Sequence, residues 1–197
     1  MVAAPAVPVH WLVHVVNEYG HRPRAEAGES GHPYPALPQG GPPQAARLTE
    51  AELTALADRL WPVFGAPDLA DRVTALNSLL SAAKLTPEID DHGDQAWRTL
   101  HTQAAQIVAA GCAVALLDSV SRNGWHRLGI CDGADCVDVY LDEHGRAPRR
   151  YCSAGCLNRA RIRAYRSRHA ISKPPGASRP PVGSGKSNAV TTTADEA

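Results

Sequence analysis

The chain has 197 residues, 44% of them hydrophobic and only 5% aromatic, enough for a buried core and better suited to helices than to a β-sandwich. No run of 18 apolar residues occurs, so no membrane span is expected. The formal net charge is zero, yet residues 1–143 hold 9 Lys+Arg against 18 Asp+Glu, and residues 144–197 hold 11 against 2. A net −9 segment therefore precedes a net +9 segment, which points to a module with an anionic partner unless the halves neutralise each other within one fold.

The apolar start "MVAAPAVPVHWLVHVV" has no basic region and carries His10 and His14, so it reads as a folded element and not as a signal peptide. Within it, residues 7–19 are a buried strand or a first helix; periodicity cannot choose over so short a run. Residues 20–46 are rich in Pro and Gly without an apolar period and read as a long loop. Thr49 followed by Glu52 is a capping-box signature. Leu53, Leu56, Ala57 and Leu60 then line one helical face, and Pro62 ends or kinks that helix. A second helix is expected over residues 67–83, with Leu69, Val73, Leu76, Leu79 and Leu80 at helical spacing. Residues 84–94 read as a connection. A third, long helix is expected over 95–121, carrying Trp97, Leu100, Ala104, Ile107, Val108, Val114, Ala115 and Leu117, with Asn123-Gly124 as the turn that ends it. Residues 7–125 thus read as a helical domain.

From Leu128 the texture changes. "CDGADC" is a tight Gly/Asp knuckle, "VDVYLD" alternates like a strand, "EHGRA" turns, and "PRRYC" can return as a second strand. Ser153 is a good N-cap for a helix over 154–169. Residues 172–197 have little apolar content and read as a disordered tail.

Four of the five cysteines form two close pairs, Cys131/Cys136 and Cys152/Cys156, separated by 15 residues. A redox C-x-x-C is excluded by the spacing of both pairs. Four thiolates from two tight bends can close a tetrahedron around one zinc ion, with no open position for water, so the site is structural. An iron–sulfur cluster also takes four cysteines; the knuckle, hairpin and helix order of a treble-clef finger favours zinc. Gly133 allows the bend of the first pair. Cys112, inside an alanine-rich helix, reads as a small buried hydrophobe. A cytoplasmic, reducing compartment fits this cysteine usage.

The helix after Cys156 is strongly basic. At 100° per residue, Arg159, Arg163 and Arg166 fall on one stripe, and Arg161 and Arg168 on a second. Leu157, Ala160 and Ala164 share a face suited to packing on the finger, and Ile162 and Tyr165 extend it. With Arg146, Arg149 and Arg150 this makes eight arginines in 23 residues and no acid among them. Solvated helix faces usually mix both signs, and arginine can fork onto phosphate or a guanine edge, so nucleic acid is the expected partner. Few aromatics are placed for base stacking, which favours duplex DNA over single strands.

At these residues the sequence resembles the CGNR zinc finger family, in the C-x4-C pair, the aspartate after the hairpin (Asp142), "RRYCS" at 149–153, and "CLNR" at 156–159 followed by "RARIRAYRSRH". Leu157 stands where the signature has glycine. Family members typically carry an N-terminal stress-response helical domain, called ABATE, and "VVNEYG", "LNSLL" and "RLGIC" sit where comparable blocks occur. The resemblance spans residues 7–170. It implies a mainly α protein, an ABATE-like domain over 7–125 and a finger over 128–170. It also implies one structural zinc on Cys131, Cys136, Cys152 and Cys156, and a regulator of transcription. Asn158 and Arg159 carry over as the motif's polar pair, with Asn158 holding the hairpin backbone or touching DNA.

The expected function is that of a bacterial DNA-binding regulator, nucleoid-associated when bound. Arg149, Arg150, Asn158, Arg159, Arg161, Arg163, Arg166 and Arg168 would contact duplex DNA, and the N-terminal domain would sense an effector or dimerise. The rival is a zinc-stabilised module that docks on an acidic protein or on RNA. Catalysis is not expected. His10, His14, His21 and His32 lack ligand-like spacing, and no nucleophile–base or phosphate-loop motif occurs.

Overall fold

The run "VHWLVHVVNEY" resolves to helix. In the structure, a computed structural model that describes residues 1–143 and 148–171, helix α1 spans Val9–Tyr19 and buries Trp11, Leu12, Val15 and Val16 completely. The described chain divides into two units, residues 1–162 and the residues from 163 onward. The "EHGRA" turn falls mostly, and the C-terminal tail wholly, outside the described residues, as does Arg146.

The capping box forms as its residues dictate. Thr49 Oγ1 accepts from the Glu52 N–H at 3.2 Å, and the Glu52 carboxylate accepts from the Thr49 N–H at 2.8 Å. Helix α3 follows over Glu50–Gly65; Pro62 sits in its last turn, where the helix runs on to Gly65 before stopping. Helix α2 (His21–Glu26) precedes it, and helix α4 spans Leu69–Ala83. Helix α5 spans Ala104–Asn123 and ends at Gly124, whose φ of 80° suits glycine. By length and composition α5 could cross a membrane, but half of it is buried in this protein. Ile107, Val108, Ala110, Cys112, Ala113 and Leu116 put it in contact with the core. Faces of α1, α3, α4 and α5 share that core with Leu53, Leu56, Leu60, Phe64, Leu76 and Leu79.

Two expectations fail before α5. Residues 85–99 are neither a connection nor the start of the long helix. They form a hairpin of β2 (Leu85–Ile89) and β3 (Gln95–Thr99), and β1 (Val2–Ala3) pairs on the far side of β3. The Asp90 carboxylate accepts from the His92 and Asp94 N–H groups and builds the turn, so Trp97 lies on a strand. The second correction concerns residues 20–46. Besides α2 and a short 3-10 turn at Pro43–Arg47, they are organised by Arg24, only 4% exposed. Its guanidinium donates to the carbonyls of Glu18, Glu29 and His32 and lies 4.3 Å from the Tyr34 ring centroid. Tyr34 stacks on Tyr19 at 5.0 Å. A single buried cation thus bonds two carbonyls of the Pro/Gly-rich segment, those of Glu29 and His32, and one from the last turn of α1, that of Glu18.

The last sheet is the one that positions the site. Strand β4 (Leu128–Ile130) pairs antiparallel with β5 (Val139–Leu141), and Leu128, Val139 and Leu141 belong to the same core as the helices. Three side chains from the helices seize this hairpin by its backbone. Asn17 of α1 donates to the Val139 carbonyl at 3.1 Å and accepts from the Val139 N–H at 2.7 Å, as a neighbouring strand would. Trp61 of α3 donates its indole N–H to the Val137 carbonyl at 3.4 Å. Arg72 of α4 donates to the carbonyls of Val63, Trp125 and Leu128. Burial lowers the Arg72 pKa, but a guanidinium stays charged.

Val139 is fully buried. Asn17→Ala leaves both its N–H and its C=O without a partner, at about 1–3 kcal/mol for each group. We expect urea unfolding to show a loss of about 2–5 kcal/mol, and Asn17→Asp, which keeps only the acceptor, to fall between the two.

Candidate metal centre

Cys131 follows β4 directly, and its N–H donates to the Asp138 carbonyl at 2.8 Å, so the strand pairing runs on to the first ligand. Residues 131–138 are therefore the tip of the β4–β5 hairpin. This corrects the expected order. The strand "VDVYLD" pairs backwards with Leu128–Ile130, and residues 148–151 of "PRRYC" form no strand. Gly133 does not have a positive φ. Its value is space: a Cβ there would stand 3.3 Å from Cys131 Sγ and 3.3 Å from Cys136 Cβ, and its N–H points at Cys131 Sγ at 3.3 Å.

The second cysteine pair is tied to this tip by backbone and charge. The Asp132 N–H donates to the Arg150 carbonyl at 2.8 Å, and Arg150 Nε meets the Asp132 carboxylate at 2.7 Å. Arg149 folds back, donating to the Tyr151 carbonyl at 2.6 Å and to the Cys152 carbonyl. Ser153 caps helix α6 (Ala154–Ile171): its hydroxyl accepts from the Cys156 N–H at 3.2 Å. The cap therefore fixes the last ligand on the first turn of the helix. Below the hairpin, Arg127 and Asp142 close its base with a 2.9 Å ion pair that is mostly buried.

The four sulfurs converge. Cys136 Sγ and Cys152 Sγ are 3.6 Å apart, Cys152 Sγ and Cys156 Sγ 3.5 Å, and all four lie within 4.8 Å of one another. A tetrahedron with Zn–S bonds of ~2.3 Å has sulfur–sulfur edges of about 3.8 Å, so the set fits one zinc ion. It is the metal-ligating cluster of this kind among the described residues. His10, His14, His21 and His32 do not join one; His10 meets the Gln39 carbonyl and His21 meets Asp58. None of the five cysteines is in a disulfide. Cys112 stays apart in α5, completely buried, and burial pushes its thiol up to about 12.

Within the cluster, burial pushes the Cys136 thiol up to about 12 and raises that of Cys152 as well. Burial also opposes ionisation of Cys156, but hydrogen bonding to Ser153 and the other thiols outweighs it and lowers the pKa. Zinc must displace protons from these thiols, so binding releases protons and weakens as pH falls. With four sulfur donors and no vacant position, the ion would cross-link the hairpin tip to the start of α6 and offer no site for catalysis on bound water.

All eight predicted partner-binding residues are exposed. Three of them also bond groups at or beside the centre: Arg150 the Asp132 carboxylate, Arg149 the Tyr151 and Cys152 carbonyls, and Arg159, whose Nη2 stands 2.8 Å from Cys156 Sγ. Asn158, Arg161, Arg163, Arg166 and Arg168 lie on α6. Ala164, Ile162 and Tyr165, expected to pack on the finger, are exposed too, Tyr165 by 56%. Sequence reasoning missed Asn17, Trp61 and Arg72, which hold the hairpin from a distance.

A closed set of four thiolates on a hairpin tip and a helix start defines a zinc finger. Residues 127–169 match the CGNR zinc finger family, a segment that includes all four ligands, Arg127 and Asp142. No curated protein matches the chain.

Native protein should contain one zinc per chain by elemental analysis. Cys152→Ser, dialysed against a chelator, should lose it. Helicity from α1 to α5 should largely survive, because Trp11, Leu60 and Leu116 pack without help from the metal.

Proposed function

We propose that the protein is a bacterial DNA-binding regulator of transcription, in which the zinc centre fixes the start of α6 and the helix offers its arginines to duplex DNA. The observation that carries this reading is the exposure of α6. Every residue from Arg161 to His169 is exposed, and four of these nine are arginines with no acid among them. A helix that buries no face there gains nothing from packing, and phosphates can approach it from any side. Residues 1–143 carry net −9 and the whole chain is formally neutral, so the protein as a whole avoids indiscriminate attraction to polyanions.

In this reading the helices of residues 7–125 form an ABATE-like sensory domain that receives an effector and pairs two copies, since one basic helix on its own binds weakly. The setting is the cytoplasm, at the nucleoid. A cleft of about 960 Å³ between residues 3–10, β3 and α5 offers space for an effector, and the buried Ser119 hydroxyl in its wall has no hydrogen-bond partner.

A second reading is favoured by the exposed apolar side chains among the arginines. Ile162 is 43% exposed and Tyr165 56%, with the Tyr165 ring 3.9 Å from that of His169. An acidic protein surface with an apolar centre, or RNA, would use them better than duplex phosphates would.

Selection of the full-length, zinc-loaded protein against random duplexes separates the two. Recovery of a preferred sequence that resists excess random DNA is expected, and each phosphate contact removed by Arg166→Ala or Arg168→Ala should reduce the salt slope by ~0.9. Failure to enrich any sequence, with a slope unmoved by both substitutions, would sink DNA regulation and leave the interaction module.

A further inference from the structure

We infer that Arg159 is a positioning residue of the zinc centre. Its guanidinium Nη2 lies 2.8 Å from Cys156 Sγ and donates to that sulfur, a contact strengthened when the donor is a cation and the acceptor an anion. Helical side chains lean towards the helix N-terminus, so a residue three positions after Cys156 on a helix capped by Ser153 reaches back over the ligand.

The charge around the centre gives the contact its purpose. Four thiolates around a zinc dication carry a net charge of −2. Nearby carboxylates add to this: Asp138 Oδ2 stands 3.4 Å from Cys152 Sγ, and Asp132 flanks Cys131. The Asp132 charge is met by Arg150. Arg149 is spent on the Tyr151 and Cys152 carbonyls, where it shapes the approach of the second cysteine pair. Among the described residues, Arg159 is the cation that hydrogen-bonds a ligand sulfur. Cys156 is also nearly buried, at 2% exposure, where water cannot supply the missing compensation. Partners that bond a ligand from outside tune metal affinity, and their loss typically costs about 10–100-fold.

The test is made on the full chain without nucleic acid, so it stands or falls separately from DNA recognition. Zinc affinity is measured by competition with a chromogenic chelator, and the absorption of the cobalt-substituted protein reports the sulfur–metal bonds. Arg159→Gln should bind zinc about 10-fold or more weakly and shift the thiolate-to-cobalt charge-transfer band. Arg159→Lys, which keeps the charge without the planar fork, should recover part of both. Arg161→Ala, one turn of charge away from the sulfur, should match the native protein. If Arg159→Gln does not fold, the Lys variant carries the comparison alone. Zinc affinity and cobalt spectrum equal to the native protein's in the Arg159 variants would overturn the assignment.

Discussion

Everything at the C-terminal end depends on closing four sulfurs around one point from two chain segments with little apolar surface of their own. Cys131 and Cys136 sit on a hairpin tip and Cys152 and Cys156 on a helix start. Such a piece cannot bury enough to fold by itself, and a metal usually supplies the difference. Here the metal has help. Val139 and Leu141, two residues of the hairpin, are core residues of the helical assembly, and Asn17, Trp61 and Arg72 bond the hairpin backbone. The helices build half of the frame in which the thiols meet.

Local chemistry was legible in the sequence, and long-range backbone pairing was not. The capping box of Thr49 and Glu52, the Gly124 stop, the Ser153 cap and the four ligands all depend on residues within a few positions of each other. The hairpin of residues 85–99 escaped because it is largely exposed: Ile89 is 70% exposed, so no apolar alternation marks it. Trp97 and Leu100 happened to fall at helical spacing from Ala104 and Ile107. "PRRYC" can pass for the second strand of a hairpin with "VDVYLD", but the partner of that strand lies on the other side of the knuckle. Arg24 looked like one more charge in a Pro/Gly loop, since a side chain that serves carbonyls leaves no pattern. The same holds for Asn17, which reaches a backbone 122 residues away.

The arginines show why charge counting overstates an interface. Eight of them in a short stretch invite one explanation, yet those nearest the cysteines already have internal partners: a carboxylate, carbonyls and a sulfur. A basic segment beside an anionic metal centre is in part the counter-charge of that centre. From Arg161 to His169 the helix is exposed at every position, whereas the turns at the metal alternate exposed residues with buried Cys156 and half-buried Leu157 and Ala160.

The Asn17 bridge also sets how the chain can be cut. A boundary drawn at residue 125, where the texture of the sequence changes, would leave Val139 inside the excised piece with its N–H and C=O stripped of their partner. The finger is thus a poor cassette: moved to another scaffold, it would need a substitute for α1 as much as it would need zinc. Linkage runs in both directions, so whatever displaces α1 must loosen the metal, and the ion in turn reports on the state of the first helix.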